Sequence, residues 1–136
     1  MASRNLIEKY LKMVIQGTTQ TGTLIFTGNS SGPINYSLNK VGNTYTLTIG
    51  GPCMGIVNQN QPLTAPNIPG LVITNAIIQQ IPVISSDGAI VSEVIGIIMI
   101  SDTGITIYPS IEGNPFVEDS VNPQGWNNGF VINFSI

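Results

Sequence analysis

The chain has 136 residues, room for one domain with a real core but not for two ordinary ones. Only 8% of it is charged, against about 25% in a typical soluble domain, while 42% is hydrophobic, a balance that argues against disorder. Its cations, Arg4, Lys9, Lys12 and Lys40, all precede residue 41, so the greater part of the chain has none to neutralise phosphates, and nucleic-acid binding is set aside. In chain order, only the start has helical spacing. Leu6, Ile7, Tyr10, Leu11 and Val14 recur on one side of a helix, Asn5 and Glu8 form a capping-box pattern, and Gly17 stands where a C-terminal cap belongs. Three turns at most are implied, too short to persist alone. This helix either forms a neck on a symmetry axis, through Ile7, Tyr10 and Val14, or lies on its own domain. Residues 1–17 are accordingly read as helix or neck, and 18–136 as the head domain.

From Thr18 onward the apolar period is two. The segment GTLIFTG reads as a short strand. INYSLN sets Ile34, Tyr36 and Leu38 on one face, and NTYTLTIGG does the same with Tyr45, Leu47 and Ile49. Between these two, Gly42-Asn43 is a hairpin signal. GPCMGIVNQNQPLTAPNIPG is rich in proline and amides and reads mostly as loop. LVITNAIIQQIPVISSDG follows as β-branched strand, with Pro82 marking an edge or a bulge. AIVSEVIGIIMISD is almost continuously apolar, as a strand buried on both faces or against a neighbouring subunit would be. DTGITIYPS adds a turn and a strand, and IEGNPFVEDSVNPQGW a second loop. The chain closes on Phe130, Ile132, Phe134 and Ile136 in strict alternation. Short strands at this spacing predict an all-β antiparallel sandwich or barrel with one short N-terminal helix. The closing strand is expected to pair between two earlier strands, its four apolar side chains contributing on the order of 6–10 kcal/mol before entropy, at about 1.5–3 kcal/mol each.

Chemistry is scarce. The chain has no histidine, hence no usual general base, zinc ligand or Ser/His or Cys/His nucleophile. Cys53 stands alone and reads as a small buried apolar residue. The sharpest enzymatic reading places Glu112, Glu118 and Asp119 beside Trp126 as a glycosidase-like set, against which stands a simple solvated acidic loop. Glu118, Asp119 and Asn122 supply oxygen ligands for calcium but lack any EF-hand-like spacing. The glycines of IGGPCMG have no lysine in a P-loop register. No cofactor or metal is expected, no secretory signal is legible at the N-terminus, and no uninterrupted apolar run is long enough to span a membrane. Trp126 has two readings. In one it closes an end of the sandwich, packed on Phe116 or Phe130 with its N–H bonded locally. In the other it is the apolar platform of a sugar-binding surface, with Asn122, Gln124, Asn127 and Asn128 for hydroxyls and Glu118 and Asp119 alongside. A chain this poor in charge is also expected to hide surface in an oligomer.

Several segments, in order, resemble the trimeric C1q/TNF-like jelly-roll heads of viral and phage fibre proteins, of the type found on large DNA viruses and their satellites. VGNTYTLTIGG (41–51) resembles their G-N-x-V-T-L strand, IPVISSDG (81–88) a strand entering a turn, IGIIMISDTGITIYP (95–109) their glycine-containing hairpin, and GFVINFSI their terminus. The likeness covers about residues 20–136. The chain departs from the pattern in lacking a collagen-like stalk before the head and an Arg-Phe-x-Pro element around Pro62 to Pro69. The resemblance implies a homotrimer with an apolar interface, located on the virion, which attaches to a host-surface glycan or protein receptor through the loop from Glu118 to Asn128 and secondarily through Asn58 to Gln61. Catalysis is not implied. The alternative is a minor capsid or decoration protein that assembles with other virion proteins and binds no receptor.

Overall fold

The computed structural model describes residues 6–7, 17–27, 32–53, 62–87, 90–111 and 124–136, with the backbone alone for 85–87 and 90–92. Its strands are β1 (Thr18–Leu24), β2 (Ile34–Val41), β3 (Thr44–Ile49), β4 (Leu63–Ala65), β5 (Ile77–Asp87), β6 (Ile90–Ile100), β7 (Ile105–Tyr108), β8 (Gln124–Gly125) and β9 (Phe130–Ser135). They form two antiparallel sheets, ordered β1-β2-β3-β9 and β4-β7-β6-β5-β8, packed face to face as a β-sandwich. Leu6 and Ile7 have helical backbone and exposed side chains. The rest of the expected helix lies outside the described residues.

Period-two alternation builds the core directly. On the first sheet Ile34 lies across from Leu24, Tyr36 and Leu38 lie across from Ile49 and Leu47, and these in turn face Phe130 and Ile132, and all are buried. Ile81 and Val83 of β5, Ile98 and Ile100 of β6, and Ile105 and Ile107 of β7 meet them from the second sheet. Gly42 has φ 60°, which the two-residue turn between Val41 and Thr44 requires. At Pro82 the strand β5 has only β6 beside it, since β8 pairs with it only at Ile84 and Ser85. A residue without an N–H is tolerated there.

Four expectations are corrected by the structure. The first strand begins at Thr18 rather than Gly22 and ends at Leu24. Threonine-rich sequence extends it by pairing along β2, while Phe26 stays buried outside it and the Thr27 N–H reaches the Thr64 carbonyl at 2.9 Å, where the chain touches the other sheet. Inside the proline-rich stretch lies β4, too short to stand out in sequence, and fixed by pairing with β7. For β6, the first of its two alternatives, burial on both faces within the chain, is the one corrected: Ile95 is 54% exposed, and Ile97 and Met99 are half-buried. Finally, β9 is an edge strand whose only ladder is with β3, not a strand between two others. Packing holds it instead, through buried Phe130, Ile132 and Phe134, with the Gln79 side chain donating to the Val131 carbonyl at 2.9 Å along its open edge.

Candidate functional site

The best-defined local structure among the expected site residues is the setting of Trp126. Just after β8 the chain makes an isolated bridge in which Trp126 and Cys53 exchange both backbone hydrogen bonds, each 2.8 Å. This pins the indole over the end of β3. Its Nε1–H donates to the Gly50 carbonyl at 2.9 Å, and its ring meets Phe26 and Phe130 edge-on, with centroids 6.0 and 5.4 Å away. Trp126 is only 1% exposed. A ring buried to that degree has no free face on which a sugar could stack, so its geometry serves the structural role. Phe130 is the neighbour that sequence proximity suggested. Phe26, a hundred residues away in the chain, carries no local signal pointing to Trp126.

The glycines of IGGPCMG have their explanation here. Gly50 supplies the carbonyl that accepts the indole N–H. Gly51 allows close backbone approach, because a Cβ there would stand 2.8 Å from the Asn127 carbonyl oxygen. Cys53, fully buried beneath this bridge, has its thiol pushed up to about 12 by burial. It is therefore a protonated packing group rather than a nucleophile.

Of the residues expected at a ligand-binding loop, Asn127 and Asn128 are exposed on the turn after Trp126, and Gln124 is half-buried on β8. Glu118, Asp119 and Asn122 lie outside the described residues, as do Glu112 and the segment Asn58 to Gln61. The structure therefore juxtaposes Asn127 and Asn128 with the exterior of the sandwich end and turns Trp126 inward. Among the described residues, no cluster of His, Cys, Asp or Glu is arranged to hold a metal, and no helix is long and apolar enough to cross a membrane.

Two surface features lie away from the Trp126 loop. The outer face of the second sheet is apolar: Ile78 is 65% exposed, Pro82 and Ile95 are exposed, and Ile84, Ile97, Met99 and Tyr108 are half-buried around them. A shallow groove between Gln80, Pro82, Glu93 and Ile95 runs across it. The signal was present in the near-continuous run of β6, whose outward members are as apolar as its inward ones. The second feature is a cleft of about 280 Å³ at the flank of the first sheet, where Lys40 stands 5.5 Å over the centre of the Tyr45 ring. No family model matches this chain, and no curated protein matches its sequence.

Proposed function

We propose that the chain is a homotrimeric head domain of the jelly-roll kind, located on a virion, which assembles through the apolar outer face of its second sheet and attaches to a host-surface glycan or protein through surface loops. That outer face is the observation that carries the reading. Soluble monomers rarely leave large, contiguous apolar patches in water, and here exposed isoleucines on two adjacent strands share the face with very little charge. The short edge strands β4 and β8 blunt both edges of this sheet, which favours association by face over strand addition. The order β4-β7-β6-β5, in which β4 lies beside the last strand of a three-strand meander, is a Greek key and supports the jelly-roll assignment. The other sheet departs from a double Greek key, since β1, β2 and β3 remain neighbours. A binding and assembly role, rather than catalysis, also accords with a chain without histidine.

The test is the mass of the purified chain by size exclusion with light scattering, repeated with Ile78→Glu and Ile95→Lys. A trimer that both variants convert to a folded monomer is expected. A wild-type monomer, or a trimer that neither variant disturbs, would remove this face from the argument.

The burial of Trp126 favours a second reading, in which the protein only decorates a capsid. The expected receptor loop then lacks its aromatic platform, although Asn127 and Asn128 remain exposed. Binding to capsid shells with none to host cells would decide for it.

A further inference from the structure

We propose that the cleft beside Lys40 is a binding site for a single acidic sugar residue, a pyranose carrying a carboxylate. It rests on the attachment reading only for the source of that sugar. The ends of β1, β2 and β3 and the turn at Gly70-Leu71 enclose the cleft at the open flank of the sandwich. At about 280 Å³ it is near the lower limit of small-molecule sites, suited to one ring rather than to an extended ligand.

Three kinds of group converge there. Leu38 and Leu71, both buried, line its base, and the half-buried Tyr45 forms a wall, one ring face stacked on Phe134 at 5.2 Å and the other under the Lys40 ammonium, so that only its ring edge is turned to a ligand. The rim carries hydrogen-bonding groups in fixed positions. Both N–H bonds of the Gln20 amide are committed, to the Tyr36 hydroxyl at 3.2 Å and the Pro69 carbonyl at 3.1 Å, which leaves Oε1 as an acceptor for a ligand hydroxyl. Thr18 adds its hydroxyl on the same rim. The Lys40 ammonium is the charge-selecting element. Among the described residues it has no ion pair, and its Nζ stands over the face of Tyr45. A cation with no carboxylate partner among the described residues, whose surface is otherwise neutral or acidic, is set to accept one from a ligand.

The experiment is an amide-resolved NMR titration of the full chain with the methyl glycosides of glucuronic acid and N-acetylneuraminic acid, methyl glucoside as the neutral sugar, and acetate as the bare carboxylate. At least one acidic glycoside is expected to bind with Kd on the order of 1 mM, shifting Lys40, Tyr45, Gly70 and Leu71, while methyl glucoside and acetate bind about tenfold more weakly. Lys40→Gln should weaken that binding about tenfold at an unchanged melting temperature, and Lys40→Arg should largely retain it. Equal binding of methyl glucoside, equal binding of acetate, an insensitive Lys40→Gln, or no shift at the cleft at 20-fold the expected Kd would each overturn the proposal. Host-cell attachment of Lys40→Gln separates the two readings. Loss of sugar binding with attachment intact leaves the cleft assigned and detaches it from the attachment function.

Discussion

Replacing Trp126 with alanine tests whether this residue belongs to the core or to a recognition surface. The side chain is 1% exposed, so truncation removes nearly its entire buried volume from between Phe26 and Phe130. Truncations of buried Trp or Phe destabilise by about 3–5 kcal/mol. The change also strands the Gly50 carbonyl, which the indole now satisfies at 2.9 Å. For a 136-residue domain, one kcal/mol corresponds to roughly 3–4 °C in melting temperature, so the variant should melt about 10–17 °C lower. Trp126→Phe separates the two contributions: it retains most of the packing and loses the hydrogen bond, at about 1–3 kcal/mol. Thermal and urea unfolding followed by circular dichroism read both values, and wild-type fluorescence should be blue-shifted and resist iodide quenching. A Trp126→Ala variant within about 1 kcal/mol of wild type, well below the large-to-small range, and unable to bind host cells would refute this reasoning and return the indole to the surface.

Deleting residues 132–136 removes Ile132 and Phe134 from the core, worth about 3–6 kcal/mol together, along with most of the β3–β9 ladder. The truncated chain should show no cooperative melt, and a soluble, cooperatively folding product would contradict the role given to the last strand. Cys53 should not react with a thiol reagent at pH 8 until the chain unfolds, as a burst of labelling in native buffer would disprove. Because its native thiol is pushed up to about 12 from the ordinary 9.0, the unfolded chain releases this proton first. Its contribution is therefore intact below pH 9 and is lost progressively as pH rises from 9 towards 12. A Cys53→Ala reference that declines equally steeply in alkaline urea titrations would show the thiol is not responsible. Gly22→Val should destabilise by about 1–3 kcal/mol, because a Cβ at Gly22 would lie 2.8 Å from the Tyr36 ring that covers it. An unchanged urea midpoint would mean the ring moves freely.

The sequence was most legible where one periodicity acted alone. β2, the Gly42 turn and β3 follow directly from alternating Ile34, Tyr36, Leu38 and Tyr45, Leu47, Ile49, because each strand has one wet face and one dry face. It was less legible where a partner distant in the chain decides. Leu63 and Ala65 are buried only because β7 accepts them, and three residues are too few to declare a period. The apolar terminus was read correctly as buried at Phe130, Ile132 and Phe134 but not at Ile136, which lies past the end of β9 and is 46% exposed, and the strand's position as an edge depends on sheet order, which alternation does not encode. At the candidate site the ambiguity was chemical. A tryptophan among amides fits a sugar platform and a capped end equally well, and only the approach of Phe26 and Gly50, both far off in sequence, turns it inward.

The two outer faces of the sandwich differ sharply in what they turn to the surroundings. On the first sheet, Thr19, Thr21 and Thr23 line up with Asn39, Ser37 and Asn35, and Thr44, Thr46 and Thr48 with Ser135, Asn133 and Val131. Two of these pairs hydrogen-bond across strands, Thr46 to Asn133 at 2.9 Å and Thr19 to Asn39 at 3.3 Å, and apart from Val131 the face presents hydroxyls and amides to solvent. Threonine suits both demands, since its β-branch favours the strand and its hydroxyl favours water. The second sheet has the same alternation but places Ile78, Ile95, Ile97 and Met99 outward. Both sheets obey identical strand physics, so folding alone does not account for the difference between them. A face that strand formation leaves free to be polar, and that is apolar instead, is best accounted for by something that covers it. On the assembly proposed above, that face, rather than the Trp126 loop, is the first place to introduce a charge.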